Sequence, residues 1–539
     1  MDCDALVVGS GPNGLAAAIA LAEHGLRVLV LEAAERAGGA VASEELTLEG
    51  FVHDTFSSVY PAGVASPVFA RMPLERHGLR WVHPAACMAH PLPDGRAIGL
   101  YRELERTAAS LDEIHSGEGE RWSAFAEPYV RAFDGLRETM LSGFAPVLGP
   151  ARLAAGIGPA RMAQFTRLLF SPARALAERL FDSEGARAWL YGSALHSDVP
   201  PTGAGSAIAA AYMTLLGHGA GWPSPEGGAG RLAGALLSYL GELGGEVRTG
   251  ARVTRIVAER GRVVGVELAR GESESPPTAG GSRAQGLSGQ VAGGMAGTRA
   301  ERISAPLVIA DVMPVALAEL AAAALPGRYV RALNRYRYGP ATLKVDWALD
   351  GPIPWSAPEA REAGTVHVGG PADELLRTIE AMQRGLPERP FMLLGQQSLA
   401  DPTRAPAGKH TAWAYTHGPP GLDWEARAER HVQRMEAQVE RYAPGFGELI
   451  LARHVLTPAE LQRRNSNLVG GDVGGGSYAL AQVLFRPVRS PAPYRTPLRG
   501  LYIGSAATFP GGGVHGVPGH AAARLALVQA GVRERLGRR

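Results

Sequence analysis

At 539 residues, with 46% hydrophobic and 20% charged residues, the chain is long enough for more than one structural unit and has the composition of an ordinary folded protein. A formal net charge of +2 offers no field to draw nucleic acid or an anionic membrane. Two cysteines, Cys3 and Cys87, lack metal-ligand spacing, which excludes a disulfide framework and points to a reducing, cytoplasmic compartment. No basic and apolar leader precedes the first strand. No uncharged apolar run reaches the roughly 18 residues of a membrane span, which leaves peripheral membrane contact open.

Residues 4–8 form a short apolar run, the pattern of a strand covered on both faces. Gly9, Gly11 and Gly14 follow as G-x-G-x-x-G, with Ser10, Pro12 and Asn13 between them. The pattern predicts a helix over 15–24 that stops at Gly25, then a second buried strand, "RVLVLE", ending in Glu32. In such a unit one glycine makes the tight turn, one admits a pyrophosphate to backbone N–H groups, and one lets helix and strand pack closely. The helix N-terminus adds partial positive charge for the phosphates. Glu32, eighteen residues beyond Gly14, is placed to accept hydrogen bonds from a ribose diol, and its charge disfavours a 2′-phosphate. The stretch reads as a site for an ADP-containing dinucleotide. Ala33 follows the carboxylate, and a second glycine pair, Gly38 and Gly39, comes just beyond it, before Ala40.

With that pair, "VVGSGPNGLAAAIALAEHGLRVLVLEAAERAGGAVASEE" resembles the N-terminus of the phytoene desaturase and flavin amine oxidase superfamily, closest to its phytoene-dehydrogenase-like oxidoreductases. The resemblance implies an α/β fold: a Rossmann-type FAD-binding domain interleaved with a substrate domain of mixed sheet plus helices. It divides the chain into a first FAD segment (1–70), a mainly helical substrate segment (71–225), a middle FAD segment (226–325) carrying an insertion at 271–301, a substrate segment of sheet and helices (326–485), and a C-terminal FAD segment (486–539). It places Val253 beside the adenine and Ala310 near the cofactor. The insertion holds eight glycines and no aromatic residue, a composition too poor in apolar surface to order itself.

Near the other end, "GLYIGSAATFPGGGVHGVPGHAAARLAL" reads as a strand at 501–503, a turn at Gly504 and Ser505, a glycine loop at 511–513, and a helix from about 519. By the resemblance this loop closes over the flavin. Gly512, Gly513, Val514 and His515 would line it, with Gly512 and Gly513 lying where a Cβ would enter the flavin's own volume. The superfamily often carries an arginine where Ala40 stands and an acidic residue where Ser505 stands. No cysteine lies near this end, so FAD is expected to be non-covalent.

No Ser-His-Asp order, metal cluster or second dinucleotide motif is visible, and "GGDVGGG" at 470–476 has no strand-to-helix setting. Chemistry is therefore assigned to the flavin, with the protein binding, orienting and excluding water. His515 is the one titratable candidate in the loop, as a hydrogen-bond partner for flavin or substrate or as a structural brace. His53 and Tyr60 are candidates for the path to the ring. The expected activity is dehydrogenation of a largely apolar small molecule, of isoprenoid or secondary-metabolite type, by hydride transfer to flavin. An amine oxidase, a redox-neutral polyene isomerase, and a flavin-free carrier like the Rab GDP-dissociation inhibitors are the alternatives.

Overall fold

The structure is a computed structural model that describes residues 3–269 and 301–537, with side chains to residue 531. The expected loop therefore lies outside the described residues, apart from Glu301, which pairs with Arg248. The first apolar run forms β1 (Ala5–Val8), followed by helix α1 (Pro12–Ala22) and strand β2 (Val28–Leu31). The helix starts three residues earlier than the apolar pattern alone indicates, because Pro12 occupies its first turn, where a missing N–H costs nothing.

Strands β3 (Glu246–Arg248), β4 (Val308–Ala310) and β5 (Leu501–Ile503) complete a parallel sheet in the order β5-β4-β1-β2-β3. Three distant stretches of chain thus return to one sheet. In β1, β2, β4 and β5 every residue is buried, as an apolar run covered on both faces requires. Small residues along α1 (Ala16, Ala17, Ala18, Ala20) are all buried, which lets the last helix, α2 (Val517–Gly537), pack against it. An antiparallel three-stranded sheet, Val253–Glu259, Arg262–Leu268 and Arg302–Ser304, turns at Gly261.

A second, seven-stranded sheet runs in the order 450–456, 341–349, 410–418, 392–395, 363–368, 86–91, 97–100. Its last two strands come from the segment expected to be mainly helical. Their apolar stretches are short and not alternating, so periodicity alone did not separate them from helix. One face packs Leu343, Val345 and Trp347 against Val432, Met435 and Val439 of the Ala428–Glu440 helix. The opposite face, with Met88, Leu393 and Tyr415, lies under helices between residues 104 and 219. Among the described residues no helix is long and apolar enough to cross a membrane.

A buried ionic cluster joins segments that lie far apart in the chain. Arg404 donates to both oxygens of Asp54 at 3.0 Å and to Asp401 at 2.9 Å. Asp54 also accepts from the backbone N–H of Ala229 at 2.7 Å, and Asp401 from that of Gly227 at 2.7 Å. The bidentate geometry and the extra backbone donors compensate charges that would otherwise be costly to bury.

Candidate functional site

The glycine motif folds into a cradle at the N-terminus of α1. A Cβ on Gly14 would fall 2.1 Å from the carbonyl oxygen of Gly9, and one on Gly39 would fall 2.8 Å from Gly11 Cα. The second glycine pair is therefore required by contact with the first motif, in addition to any role beside a cofactor. Gly9 (φ +97°), Gly38 (φ +126°) and Gly39 (φ +57°) also adopt backbone conformations that side-chained residues rarely take. Glu32 is held ready: the Ser10 N–H and Oγ–H donate to its Oε2 at 2.8 and 2.6 Å, and the N–H of Ala34, just past Ala33, donates to its Oε1 at 2.9 Å. Ser10 Oγ in turn accepts from the N–H of Gly38 at 3.1 Å, and the carbonyl of Ala40 accepts from Ser57 Oγ at 2.8 Å. Asn13 Oδ1 is buried with no hydrogen-bond partner among the described residues. A polar atom left orphaned beside a cradle with no room for side chains fits a bound dinucleotide.

Two of the expected neighbours pack within the protein. Ala310 is fully buried within the sheet, paired with Val8 and Ile503, and Asp311, the next residue, reaches the motif. Asp311 Oδ2 accepts the N–H of Gly14 at 2.8 Å, and a Cβ on Gly11 would lie 2.8 Å from the same oxygen. Val253 is buried in the apolar cluster that includes Leu31 and Ala251, near the end of β2.

The C-terminal loop comes to the same region. A Cβ on Gly504 would meet Gly519 Cα at 3.0 Å, so this glycine serves helix packing. Ser505 closes its own turn: its carbonyl accepts from the N–H and hydroxyl of Thr508 at 2.9 and 2.8 Å. Gly512 has less freedom than expected for a residue reserved for flavin, because its Cβ would already meet the carbonyl of Gly474 at 2.5 Å. Gly513 (φ +116°) has more protein-side space, with His515 and Ala62 the nearest groups at 3.4 and 3.6 Å. Val514 is held at φ +54°, an unusual conformation for a β-branched residue that costs on the order of 1–3 kcal/mol.

His515 holds that shape. Its Nε2 lies 3.1 Å from the Gly512 carbonyl, its Nδ1 accepts from the Val517 N–H at 3.3 Å, and its own carbonyl accepts from Ser66 Oγ at 2.6 Å. Burial lowers the imidazole's pKa to about 4. Both ring nitrogens are thus engaged within the protein, and the neutral ring braces the loop.

The glycine stretch at 470–476 walls the same loop. Tyr478 OH accepts the N–H of Gly512 at 3.0 Å. Asp472 accepts from the backbone N–H groups of Gly339, Gly474 and Gly476. The fully buried Arg486 reaches the carbonyls of Gly475, Ala506 and Ala507. The sequence held no local cue for this, since the partner of Gly474 lies almost forty residues away.

His53 and Tyr60 are not on an open path. His53 is 2% exposed, bonded through Nε2 to Thr47 Oγ1 at 2.7 Å, and burial, with Lys344 nearby, lowers its pKa to about 3. Tyr60 is 1% exposed, donates to the Ser57 carbonyl at 2.8 Å, and packs on Trp81. Both close the wall rather than line a passage.

The helix-covered face of the large sheet supplies groups that sequence reading missed. Trp413, Tyr415 and His417 are half-buried at alternate positions of strand 410–418, with ring centroids 5.9 and 5.2 Å apart. The alternation "AWAYTH" carries that signal in period two. Gly395 makes room for Trp413, whose indole a Cβ there would meet at 2.3 Å. The adjacent strand pairs Thr342 with His417, Lys344 with Tyr415 and Asp346 with Trp413. Lys344 and Asp346 form a buried ion pair; burial raises the Asp346 pKa to about 6 while Lys344 opposes the shift. Burial keeps His196 and His417 neutral, with pKa values near 3 and 4. Beyond His417 lies a cleft of about 280 Å³ whose walls include Leu195, Tyr338, Ile379, Met382 and Phe391.

Comparison with known proteins bears on the fold and the family. The family described as flavin containing amine oxidoreductase matches residues 13–280. Pyridine nucleotide-disulfide oxidoreductase domain-containing protein 2 of Rattus norvegicus is 27% identical, over 97% of this chain and 93% of its own length. The all-trans-zeta-carotene desaturase of Myxococcus xanthus is 26% identical, over 94% of this chain and 90% of its own. The crystal structure of an oxidoreductase from Methanosarcina mazei has the same fold, with a TM-score of 0.61 and 16% identity over 98% of this chain and all of that one.

Proposed function

We propose that this chain, which belongs to the flavin containing amine oxidoreductase superfamily and is an FAD-dependent oxidoreductase, dehydrogenates a largely apolar small molecule of isoprenoid or secondary-metabolite type. FAD, when bound, supplies the hydride acceptor. The protein's part is to hold the dinucleotide at Glu32 and the glycine cradle, to keep water from the ring with the 511–515 loop, and to lay the substrate along the sheet face.

The observation that carries the reading is the character of that face. Trp413 and Tyr415 are parallel, with an interplanar angle of 3° and centroids 5.9 Å apart. A group sandwiched between two rings needs about 7 Å, two contacts of roughly 3.5 Å, so this closely stacked pair leaves no room for an amine between its rings. The carboxylate beside it, Asp346, is already neutralised by Lys344, and the neighbouring histidines are neutral. An aromatic wall whose charges are paired with each other favours an apolar molecule over a cationic one. The desaturase relative, named for a carotene, agrees with that choice.

The test is anaerobic addition of candidate substrates to the oxidised holoenzyme. Loss of the visible flavin band with an unsaturated hydrocarbon, and none with primary or secondary amines, is the expected result. Bleaching by amines alone would replace this reading with an amine oxidase.

A further inference from the structure

Asp311 is the second acidic group at the dinucleotide site, and it stands in an unexpected place. Its Oδ2 accepts the N–H of Gly14 in the first turn of α1, and its Oδ1 takes no hydrogen bond from the described residues. Its backbone is fixed on both sides: the N–H donates to the Val8 carbonyl at 2.8 Å, and the carbonyl accepts from Asn467 Nδ2 at 3.0 Å. Cβ atoms on Gly9, Gly11 and Gly14 would all lie within 3.1 Å of Asp311 atoms or of the Gly9 carbonyl. The motif is therefore shaped around this side chain as well as around a cofactor. The N-terminus of this helix is where a G-x-G-x-x-G unit receives a pyrophosphate. An ionised carboxylate there repels a phosphate, whereas a protonated one donates to it.

We propose that Asp311 is a proton-carrying partner of the FAD pyrophosphate, so that binding of FAD takes up one proton and weakens as the pH rises above neutrality. The inference rests on the reading that the glycine motif receives that pyrophosphate. Burial lifts the Asp311 carboxyl to about 7, with the Gly14 N–H opposing the shift and Glu32 adding to it. The groups facing it offer no cation: the β1–α1 turn brings Ser10 and Asn13, the end of β2 brings Glu32, and the segment before residue 470 brings Asn467. The histidines at the flavin loop and the adjoining wall, His515 and His53, are held neutral down to about 4 and 3, so they do not titrate near neutrality.

The test is equilibrium dissociation of the diluted holoenzyme between pH 6 and pH 8, read by the fluorescence of released FAD. One proton with a midpoint near 7 predicts about tenfold weaker binding at pH 8 than at pH 6. Asp311→Asn keeps an acceptor for the Gly14 N–H and a permanent donor, so its profile should be flat and its FAD tighter than wild type at pH 8. A flat wild-type profile, or a variant that keeps the wild-type slope, overturns the proposal. Should Asp311→Asn not fold, Asp311→Ser, which keeps a neutral hydroxyl one bond nearer the backbone and cannot titrate near neutrality, carries the same comparison of pH profiles. A protein that purifies without FAD and cannot be loaded with it would instead sink the cofactor reading on which this inference stands.

Discussion

A Cβ on Gly519 would fall 1.8 Å from the carbonyl oxygen of Asn13, so the first turn of the last helix presses on the first turn of α1. The two ends of the chain, more than five hundred residues apart, thereby form one wall of the dinucleotide site. The obstructing atom is backbone, which cannot rotate away as a side chain would.

Gly519→Ala should therefore displace α2 and lower both thermal stability and FAD content, the overpacking costing about 1–3 kcal/mol or more. Gly531→Ala, in the same helix with nothing within 4 Å of its Cβ, is the control. It should be neutral or stabilising, by about 0.5–1 kcal/mol, as a glycine is removed from a helix interior. Differential scanning fluorimetry with flavin quantitation reads both. Equal behaviour of the two variants would show that the helices separate at little cost.

Much of the nucleotide-binding half is legible in the sequence because its signals are local. The apolar run, three spaced glycines, a carboxylate and a second glycine pair all fall within forty residues, and periodicity suffices to place β1, α1 and β2. Asp311 is not legible in the same way: an aspartate after a strand looks like any strand end until the fold brings it against Gly14, almost three hundred residues away. The 470–476 stretch fails for the same reason, its meaning residing in the contact between Gly474 and Gly512. His515 was visible with both roles open, flavin partner or brace, and the choice between them needed the loop's path, which sets the bonds of both its nitrogens. The aromatic row on strand 410–418 was within reach, since alternation marks one face. What the alternation does not reveal is which layer that face meets.

Glu32→Gln should weaken FAD binding by about tenfold or more while leaving the fold intact. Charge-assisted hydrogen bonds are worth roughly 1.5–3 kcal/mol, and the neutral amide also loses acceptor strength toward Ser10 and Ala34. Titration of released flavin measures the change. Unaltered affinity would mean that a ribose does not rely on this carboxylate.

In the C-terminal loop, Gly513→Val enters space that the protein leaves open, unlike any change at Gly512, whose Cβ already collides with Gly474, and at φ +116° it also strains the loop backbone. It should reduce flavin occupancy or shift the visible spectrum with far-ultraviolet circular dichroism near wild type. His515→Ala should retain FAD but loosen the loop, because the strained Val514 loses its brace. Faster flavin release with an unshifted spectrum is the expected signature. If Gly513→Val keeps full FAD and an unchanged spectrum, the loop does not border the ring.

The buried pair on the sheet face gives the last prediction. Lys344 and Asp346 are 3% and 0% exposed, and burial already raises the Asp346 pKa to about 6 with the lysine in place. Lys344→Met leaves that carboxyl buried beside His53 and Trp413 with its main counter-charge gone, which should cost about 3–5 kcal/mol. A carboxyl whose pKa is raised in the folded state stabilises the protein at low pH, and that contribution is lost as the pH rises through the folded value. The variant, lacking the lysine that holds the pKa down, should therefore be least impaired near pH 5 and progressively worse toward pH 8. The double variant Lys344→Met/Asp346→Leu removes both charges and should recover most of the loss, with a pH dependence closer to wild type. Thermal unfolding of the three proteins across that range separates the cases. A double variant as unstable as the single one at every pH would show that packing around Lys344, and not its charge, is what the sheet requires.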